Sequence, residues 1–479
     1  MVVGVLVALW AAPARAGGPS MLVGAFEELV KEPTLEGSQK EVALVQRAGL
    51  DAVIVSSTWQ LGETAPSPLE LTKLKDAAKA TALARVRLLV TVYPSGSSQT
   101  PLTDEARADF ARYAGALARS LPSVRDFIVG NEPNLNRYWL PQFNPDGSDA
   151  AAPAYEALLA ATYDALKTVS AAIRVIGVAV SPRGGDLPNT GRDTHSPTRF
   201  IADLGAAYRS SGRTAPIMDA FAVHPYEDNS SIAPGATHPN TTTIAIADYG
   251  KLVQLLGQAF DGTAQPGSSL PLLYTEFGVE TTLPAAQAGL YGGIEPPTTH
   301  PVDEATQGSY YRQAFALAFC QPTVQGIFLL HTVDERPLDR WQSGVYYANG
   351  LPKSDLPKVA AAAGQVHRGV VAACPGMQLA PHAIARFPRG AQLRARRLRV
   401  SLRCDIDCVY DARLERLPVH SATLETRGSA IGGAPTQIVF PPARPAPGVY
   451  RLVLRLVPPL NPGPPRILAK SFRLRSRTR

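Results

Sequence analysis

Residues 124–139 of the sequence, VRDFIVGNEPNLNRYW, contain a short apolar strand that runs directly into a glutamate. The apolar run at 127–129 favours a β-strand, and Pro133 ends it because proline has no backbone N–H to donate to a neighbouring strand. Glu132 is therefore expected at the lip of a sheet. In a parallel sheet, that lip is the edge at which catalytic residues are usually placed.

A second strand ends in the same way, since residues 271–278 read PLLYTEFG and bring Glu276 to a strand end. A lone glutamate of this kind is usually a solvated loop residue. Two carboxylates at two strand ends can instead supply an acid and a base to one bond. Glu132 and Glu276 are therefore the candidate catalytic pair.

The two motifs belong to an alternation of apolar, strand-like runs with helix-like runs, whose apolar residues recur at spacings of three and four. This alternation is typical of a parallel sheet wrapped by helices, and eight strand-like runs are the number in a (β/α)8 TIM barrel. The predicted fold is α/β, with the barrel in residues 17–374. The strand-like runs lie at 20–26, 51–57, 86–93, 126–132, 173–181, 219–226, 270–276 and 325–332.

Beyond Pro375 the helical pattern stops, and short alternating runs broken by proline-rich turns indicate an antiparallel β-sandwich domain in residues 375–479. This domain contains 19 Lys and Arg against 5 Asp and Glu, whereas residues 1–374 contain 28 against 35. So basic a surface is expected to bind an anionic polymer of the cell envelope. A solvated surface on a structural appendage would explain the same composition.

Residues 1–16 contain the apolar run VVGVLVALWAA followed by Ala14, Arg15 and Ala16, which fits the cleavage pattern of a signal peptide. The basic residues that usually precede such a run are missing. No later stretch reaches the ~18 apolar residues that a membrane-spanning helix needs. We therefore expect a secreted or extracellular protein without a transmembrane segment.

The four cysteines fit an oxidising compartment. Cys404 and Cys408 are separated by three residues and lie between two strand-like runs, so we expect a small disulfide loop there. Cys320 and Cys374 end the helical runs on either side of the last barrel strand and should reach the same end of the barrel. They either pair across it or remain two buried thiols.

The order of the glutamate motifs resembles that of the clan A retaining glycoside hydrolases, which are eight-fold barrels. Asn131, Glu132 and Pro133 end the fourth strand, and Glu276 closes the seventh. The resemblance implies that Glu132 is the acid/base, that Glu276 is the nucleophile, and that Asn131 donates a hydrogen bond to the 2-hydroxyl of the sugar. Glu132 must then hold its proton near neutral pH while Glu276 stays ionised.

The same resemblance points to residues on two other strands. The run HPY on the sixth strand is similar to the His-x-Tyr of many clan members, and it places His224 and Tyr226 on one side of the strand, where either can orient Glu276. Many members carry an Arg on the second strand and a Trp that closes the eighth, where this chain has VIVSSTW and FLLHTVDE. His331 stands at the position of that Trp. The NEPN run with its following aromatic pair is closest to the xylosidase and iduronidase family.

Aromatic residues follow several of the strands on the expected catalytic face, and flat rings in a cleft are what sugar faces stack on. Packing within the loops is the alternative for each of them. These expected substrate-binding residues are Trp59, Trp139, Trp341 and Tyr93.

The eight histidines are scattered, and the sequence has neither a His-x-x-x-His or Cys-x-x-Cys spacing nor a glycine-rich phosphate loop. No metal and no cofactor are therefore expected, and the expected partner is a carbohydrate rather than a nucleic acid. The sequence predicts a secreted retaining glycosidase that works by double displacement. The alternative is a barrel that binds glycan without cutting it and is held at the envelope by its basic C-terminal domain.

Overall fold

The structure is a computed structural model that describes residues 17–387, 398–419, 421–442 and 446–474. The expected signal peptide at 1–16 lies outside the described residues. Strands and helices alternate through the first of these ranges. The strands are β1 (Leu22–Phe26), β2 (Ala52–Trp59), β3 (Arg87–Pro94), β4 (Asp126–Val129), β5 (Arg174–Val180), β6 (Ala220–Val223), β7 (Leu272–Phe277) and β8 (Val324–Leu330).

Each strand is followed by a helix that packs on the outside of the sheet. The helices are α1 (Leu35–Arg47), α2 (Pro68–Ala84), α3 (Asp104–Ser120), α4 (Ala151–Val169), α5 (Pro197–Ser210), α6 (Tyr249–Phe260), α7 (Glu304–Cys320) and α8 (Leu356–His367). Neighbouring strands pair in parallel, and β1 pairs with both β2 and β8, so the sheet closes into a barrel. The predicted TIM barrel is confirmed.

The barrel has two apolar layers because its strands are buried on both faces. The inner layer includes Ile54, Ile128 and Phe328, and the outer layer, between strands and helices, includes Val53 and Val55. The inner layer is tight: a Cβ added at Gly24 would lie 2.5 Å from the ring of Phe328. Successive residues of a strand therefore face opposite layers, as strand geometry requires.

Capping side chains determine where several helices begin. Ser67, Thr103, Ser196 and Asp303 accept hydrogen bonds from the first turns of α2, α3, α5 and α7. Such caps satisfy backbone N–H groups that would otherwise have no partner. They therefore set how much chain remains between each strand and its helix, and these connections form the rim at the carboxyl ends of the strands.

The C-terminal domain consists of two antiparallel sheets, which confirms the predicted β-sandwich. One sheet has the order β13-β10-β9, and the other has the order β12-β11-β14-β15. Leucine and valine side chains of both sheets form its separate core. Its strands are β9 (Ala383–Arg386), β10 (Arg399–Cys404), β11 (Cys408–Leu417), β12 (Ser421–Ala430), β13 (Pro435–Val439), β14 (Gly448–Val457) and β15 (Arg466–Leu474).

The two domains meet at the segment that follows α8. The side chain of Asn461 accepts a 2.7 Å hydrogen bond from the backbone N–H of Cys374 and donates a 2.8 Å bond to the carbonyl of Ala372. Cys374 is disulfide-bonded to Cys320 at the end of α7. The expected small loop between Cys404 and Cys408 is also closed by a disulfide. Within the described ranges, no helix combines the length and apolar character that crossing a membrane would require.

Candidate active site

Glu132 lies on a sharp turn that follows β4. Gly130 and Glu132 have φ angles of 98° and 43°, and a positive φ is sterically unfavourable for residues other than glycine. The turn is attached to the neighbouring strand, since the backbone N–H of Glu132 donates to the carbonyl of Ala179 over 2.9 Å. Strain of this kind clusters where a side chain is held for function. The fold therefore holds Glu132 in a strained position at the carboxyl edge of the barrel.

A buried tyrosine of α4 supports this turn from the helix side. The Tyr155 hydroxyl donates to the carbonyl of Val129 at the end of β4, and it accepts a 2.7 Å hydrogen bond from the backbone N–H of Val178 in β5. Val178 and Ala179 also have positive φ angles, and the pairing of β5 with β6 shifts register there. One hydroxyl therefore connects the two strand ends that carry the Glu132 turn.

Glu276 lies near the end of β7 and contacts two side chains that follow β6. The Tyr226 hydroxyl donates a 2.8 Å hydrogen bond to Oε2 of Glu276. Nδ1 of His224 lies 3.3 Å from the same oxygen and 3.2 Å from Oε1 of Glu132. Because an ionised carboxylate can only accept hydrogen bonds, His224 holds a proton on Nδ1 between the two. The structure thus brings four of the expected site residues into contact.

The shared histidine limits the separation of the two glutamates. The oxygens that contact Nδ1 of His224 can be no more than 6.5 Å apart, which is the sum of their distances of 3.2 and 3.3 Å to it. Each of these side chains is about 85% buried, with exposed fractions of 15% for Glu132 and 14% for Glu276. Both carboxyl groups can therefore reach one small group placed between them.

The surroundings of Glu276 act in opposite directions on its ionisation. Burial raises the pKa of the Glu276 carboxyl above its usual 4.5, the charge of His224 lowers it, the charge of Glu132 raises it, and the Tyr226 hydrogen bond lowers it. Burial lowers the pKa of His224, but the charge of Glu276 and the hydrogen bond with Glu132 outweigh burial and raise it above 6.5. Keeping Glu276 ionised therefore depends on His224 and Tyr226, which act against burial.

His331 and Asn131 lie beside this pair. His331 follows β8, and its Nδ1 is 2.9 Å from the carbonyl oxygen of Phe26. Its charge is a further group that opposes the effect of burial on the pKa of Glu276. Asn131 is half-buried on the turn directly before Glu132. Its contact with a sugar hydroxyl stays a prediction.

Two tyrosines form an aromatic wall near the glutamates. Tyr93 of β3 packs edge-on against Tyr138, with ring centroids 6.4 Å apart. Burial and, after it, the charges of Glu132 and Glu276 raise the pKa of Tyr138, which shows that its hydroxyl faces both carboxylates. Burial, and then the charge of Glu28, raise the pKa of Tyr93 to about 12. Tyr138 was not among the predicted site residues, although it precedes Trp139 in the aromatic pair.

The prediction that three tryptophans line one groove is wrong for two of them. Trp59 is fully buried in the outer layer, where its ring packs edge-on against Phe110 of α3. Trp139 is 2% exposed and packs edge-on against Tyr155 of α4. A position after a strand does not specify on which side of the sheet a side chain lies, and both rings turn toward the helices.

Trp341 is the predicted tryptophan that does reach the site. Its ring stacks on Tyr226 with a centroid distance of 4.9 Å and an angle of 22° between the planes. It also packs against the inner apolar layer of the barrel. Since Tyr226 is hydrogen-bonded to Glu276, Trp341 supplies a flat apolar surface directly beside the carboxylate pair.

Glu132, Tyr226 and Trp341 line a cavity of about 260 Å³. The other walls come from segments that follow β5, β6 and β7, and sequence reasoning missed the charged residues among them. The available signal was their position, since Glu227 directly follows HPY and Glu280 lies soon after TEFG. The missed charged residues are Arg183, Glu227, Asp228 and Glu280. In the parts of the chain that the structure describes, no group of three or more His, Cys, Asp or Glu side chains is arranged to hold a metal ion.

No family model and no curated protein matches the sequence. Solved structures do match the chain in three dimensions. A glucosidase from Croceicoccus marinus is 11% identical with a TM-score of 0.48, and the match covers 89% of this chain and 94% of that one. An exo-β-1,4-mannosidase from Opitutaceae bacterium strain TAV5 is 14% identical with a TM-score of 0.47, and the match covers 78% of this chain and 64% of that one.

A β-glucuronidase from Bacteroides uniformis is 10% identical with a TM-score of 0.45, and the match covers 96% of this chain. The chain spans 45% of the length of that glucuronidase and 64% of the length of the mannosidase. At these identities and TM-scores the matches describe a general architecture and assign no activity to this chain.

Proposed function

We propose that the chain is a retaining glycoside hydrolase that uses Glu132 as acid/base and Glu276 as nucleophile. The observation that carries the proposal is the contact of both carboxylates with Nδ1 of His224, which limits their separation to 6.5 Å, the sum of 3.2 and 3.3 Å. Retaining glycosidases hold their carboxyl groups about 5–5.5 Å apart, and inverting ones roughly 6.5–9.5 Å. The limit includes the retaining spacing and reaches only the lower end of the inverting range.

The two glutamates would act in two steps. In the first, a carboxylate oxygen of Glu276 forms a bond to the anomeric carbon while the glycosidic bond breaks, and Glu132 gives its proton to the departing oxygen. In the second, Glu132 takes a proton from water, the water oxygen bonds to the anomeric carbon, and the bond to Glu276 breaks. The configuration at the anomeric carbon is inverted twice and is therefore retained.

The residues around the pair fit this division of roles. Tyr226 and His224 lower the pKa of Glu276 against the effect of burial, which favours the ionised form that a nucleophile needs. Asn131 is placed on the same turn as Glu132 and is proposed to donate to the 2-hydroxyl of the sugar. Trp341 supplies a ring on which a sugar face can stack.

The test is covalent labelling. A 2-fluoro glycoside of a β-linked or equivalent equatorial sugar should attach to Glu276, and peptide mass spectrometry should locate the label there. Activity on a panel of aryl glycosides should be lost in Glu276→Ala. In Glu132→Ala, azide should restore turnover of substrates with good leaving groups, because the small anion replaces the missing base.

A label on a different carboxylate would overturn the assignment, as would full activity of Glu276→Ala on a responsive substrate. The alternative of a barrel that binds glycan without cutting it requires carboxyl groups that are too far apart to act on one bond. The limit of 6.5 Å, the sum of 3.2 and 3.3 Å, is well inside the roughly 9.5 Å at which that alternative would be favoured.

The proposal includes an extracellular location and an anionic partner for the C-terminal domain. The cleavage pattern at 1–16 and the two disulfides support secretion. The outward face of β14 and β15 supports the second part, since Arg451, Arg455 and Arg473 share it and the last two are exposed. Arginine pairs well with carboxylate and phosphate groups of a polymer.

A further inference from the structure

The cavity beside Glu132 has strongly acidic walls. Three further carboxyl groups line it, from Glu227, Asp228 and Glu280, and Arg183 is the basic residue among those that line it. Arg183 is already engaged, because its Nη1 donates to the carbonyls of Tyr226 and Glu227 and lies 3.3 Å from Oδ1 of Asp228. It neutralises one carboxylate and leaves the others without a matching charge.

Glu227 is the most exceptional of these residues. It is 8% exposed, and neither oxygen of its carboxyl group has a hydrogen-bond partner. The nearest basic group is His238, whose Nε2 is 3.6 Å away and whose Nδ1 lies 2.9 Å from Oδ2 of Asp248. Buried polar groups are almost always hydrogen-bonded, because leaving one unpaired is costly. An unpaired carboxyl group on a cavity wall therefore points to a ligand that completes it.

Glu280 faces a similar situation on the opposite segment. It is also 8% exposed, and its Oε2 accepts a single long bond of 3.3 Å from the backbone N–H of Gln342. Its backbone N–H donates to the hydroxyl of Ser230, which lines the same cavity. The segments after β6 and β7 thus each bring one buried carboxyl group to the cavity.

Both groups are set to exchange a proton for a cation. Burial, and then the charges of Asp248 and Asp228, raise the pKa of Glu227 to about 8, while Arg183 opposes them. Burial also raises the pKa of Glu280 to about 8, with Glu295 and Asp334 adding to it and Lys353 opposing. A cation in the cavity would favour the ionised form of both groups.

We propose that this cavity is a subsite for a sugar unit that carries a free ammonium group, held by Glu227 and Glu280. An ammonium group offers three hydrogen-bond donors, and the carboxylates offer acceptors that otherwise lack partners. The volume of about 260 Å³ suits one sugar unit, because ligand pockets begin at about 300 Å³. A uronate would be repelled by the like charges of the walls. The inference rests on the proposed glycosidase function and specifies its substrate class.

The test compares methyl β-glycosides that differ only in an amine or a hydroxyl at carbon 2, in the gluco, galacto and manno series. Calorimetry at pH 7 should show at least tenfold tighter binding of the amine in one series or more, and the corresponding methyl uronides should bind less tightly than the neutral sugars. Repeating the titration in buffers of different ionisation enthalpy should reveal proton release on binding of the amine.

Variants locate the effect. Glu227→Gln keeps the shape of the side chain and should remove most of the amine preference and the proton release, while affinity for the neutral sugar stays unchanged. Glu280→Gln should reduce the preference in the same way. Glu425→Gln is the matched control, since it removes a carboxylate that is 46% exposed in the C-terminal domain and should change nothing.

Equal affinity for amine and hydroxyl in all three series would overturn the inference, and so would no binding of any amine or an unchanged preference in Glu227→Gln. These measurements need no turnover, so they are independent of the labelling of Glu276. An amine preference without labelling would leave the subsite standing and refute the catalytic proposal. Labelling by a neutral glycoside without an amine preference would do the reverse.

Discussion

The hydroxyl of Tyr226 gives the clearest prediction at the scale of single residues. It donates to Glu276 and lowers the pKa of that carboxyl against the effect of burial. Tyr226→Phe removes the hydrogen bond, so the pKa of Glu276 rises and a smaller fraction is ionised at a given pH. The acidic limb of the kcat/KM profile should therefore move to higher pH. At neutral pH, kcat/KM should fall roughly tenfold to a hundredfold, the scale of ~1.5–3 kcal/mol for a hydrogen bond to a charged group.

The control is Tyr208→Phe, which removes a hydroxyl that donates to the carbonyl of Ala215 outside the barrel. It should leave the pH profile unchanged. An acidic limb that stays in place in Tyr226→Phe would mean that a group other than Glu276 sets it.

The tryptophans should separate into two classes when each is replaced by alanine. Trp59→Ala and Trp139→Ala remove rings from the apolar layer between strands and helices, and each should lower the free energy of unfolding by about 3–5 kcal/mol. Trp341→Ala should leave stability nearly unchanged and weaken sugar binding by roughly 1–3 kcal/mol, the scale for the loss of a stacking aromatic. Denaturant unfolding and calorimetry with the bound sugar measure the two effects. A large stability loss in Trp341→Ala with an unchanged KM would make it a packing residue.

The error on Trp59 was avoidable from the sequence, and the error on Trp139 was not. Strand residues alternate between faces, and Trp59 shares its odd-numbered position in β2 with Val53 and Val55, which lie in the outer layer. Its side was therefore readable from the pattern of the strand. Trp139 lies in an irregular segment after β4, where no period applies, and its packing against Tyr155 depends on the position of α4.

At the scale of elements, α4 controls the geometry of two strand ends through Tyr155. Tyr155→Phe removes the hydroxyl that bridges Val129 and Val178, so the strained turn before Glu132 loses its support. We expect kcat to fall by about 10²-fold, the scale for small misplacements of a catalytic group, with a much smaller change in KM. Steady-state kinetics on an aryl glycoside measures both. A variant with normal kcat and reduced stability would show that the bridge is only structural.

Element order was predictable because each barrel strand and helix has its own apolar period. The glutamates at the ends of β4 and β7 follow from that order. The acidic walls do not, because Glu227 and Glu280 become buried only when the long segments after β6 and β7 fold over the barrel. Contacts between distant segments, such as the bond from the backbone of Glu280 to Ser230, have no periodic signal in the sequence.

At the scale of the whole molecule, the two cores should be separable. A chain that ends at Cys374 keeps the barrel and its disulfide but loses the two hydrogen bonds from Asn461, so the barrel should lose about 1–3 kcal/mol of stability. Turnover of a small soluble substrate should be unchanged. Retention on an acidic polysaccharide column, which the full chain should show at low salt and lose at high salt, should be absent. An insoluble or inactive barrel would show that the two cores form one unit.

The disulfide between Cys320 and Cys374 has a consequence for survival outside the cell. It closes a loop of 54 residues that contains β8, α8 and the rim segment with Trp341. A protease that cuts the exposed part of that rim, near Asp339, would leave both fragments covalently joined. In a chain-entropy account, a loop of this length also adds about 4 kcal/mol against unfolding. A nicked molecule would therefore run as two pieces only after reduction, and it would keep its basic domain attached to the barrel.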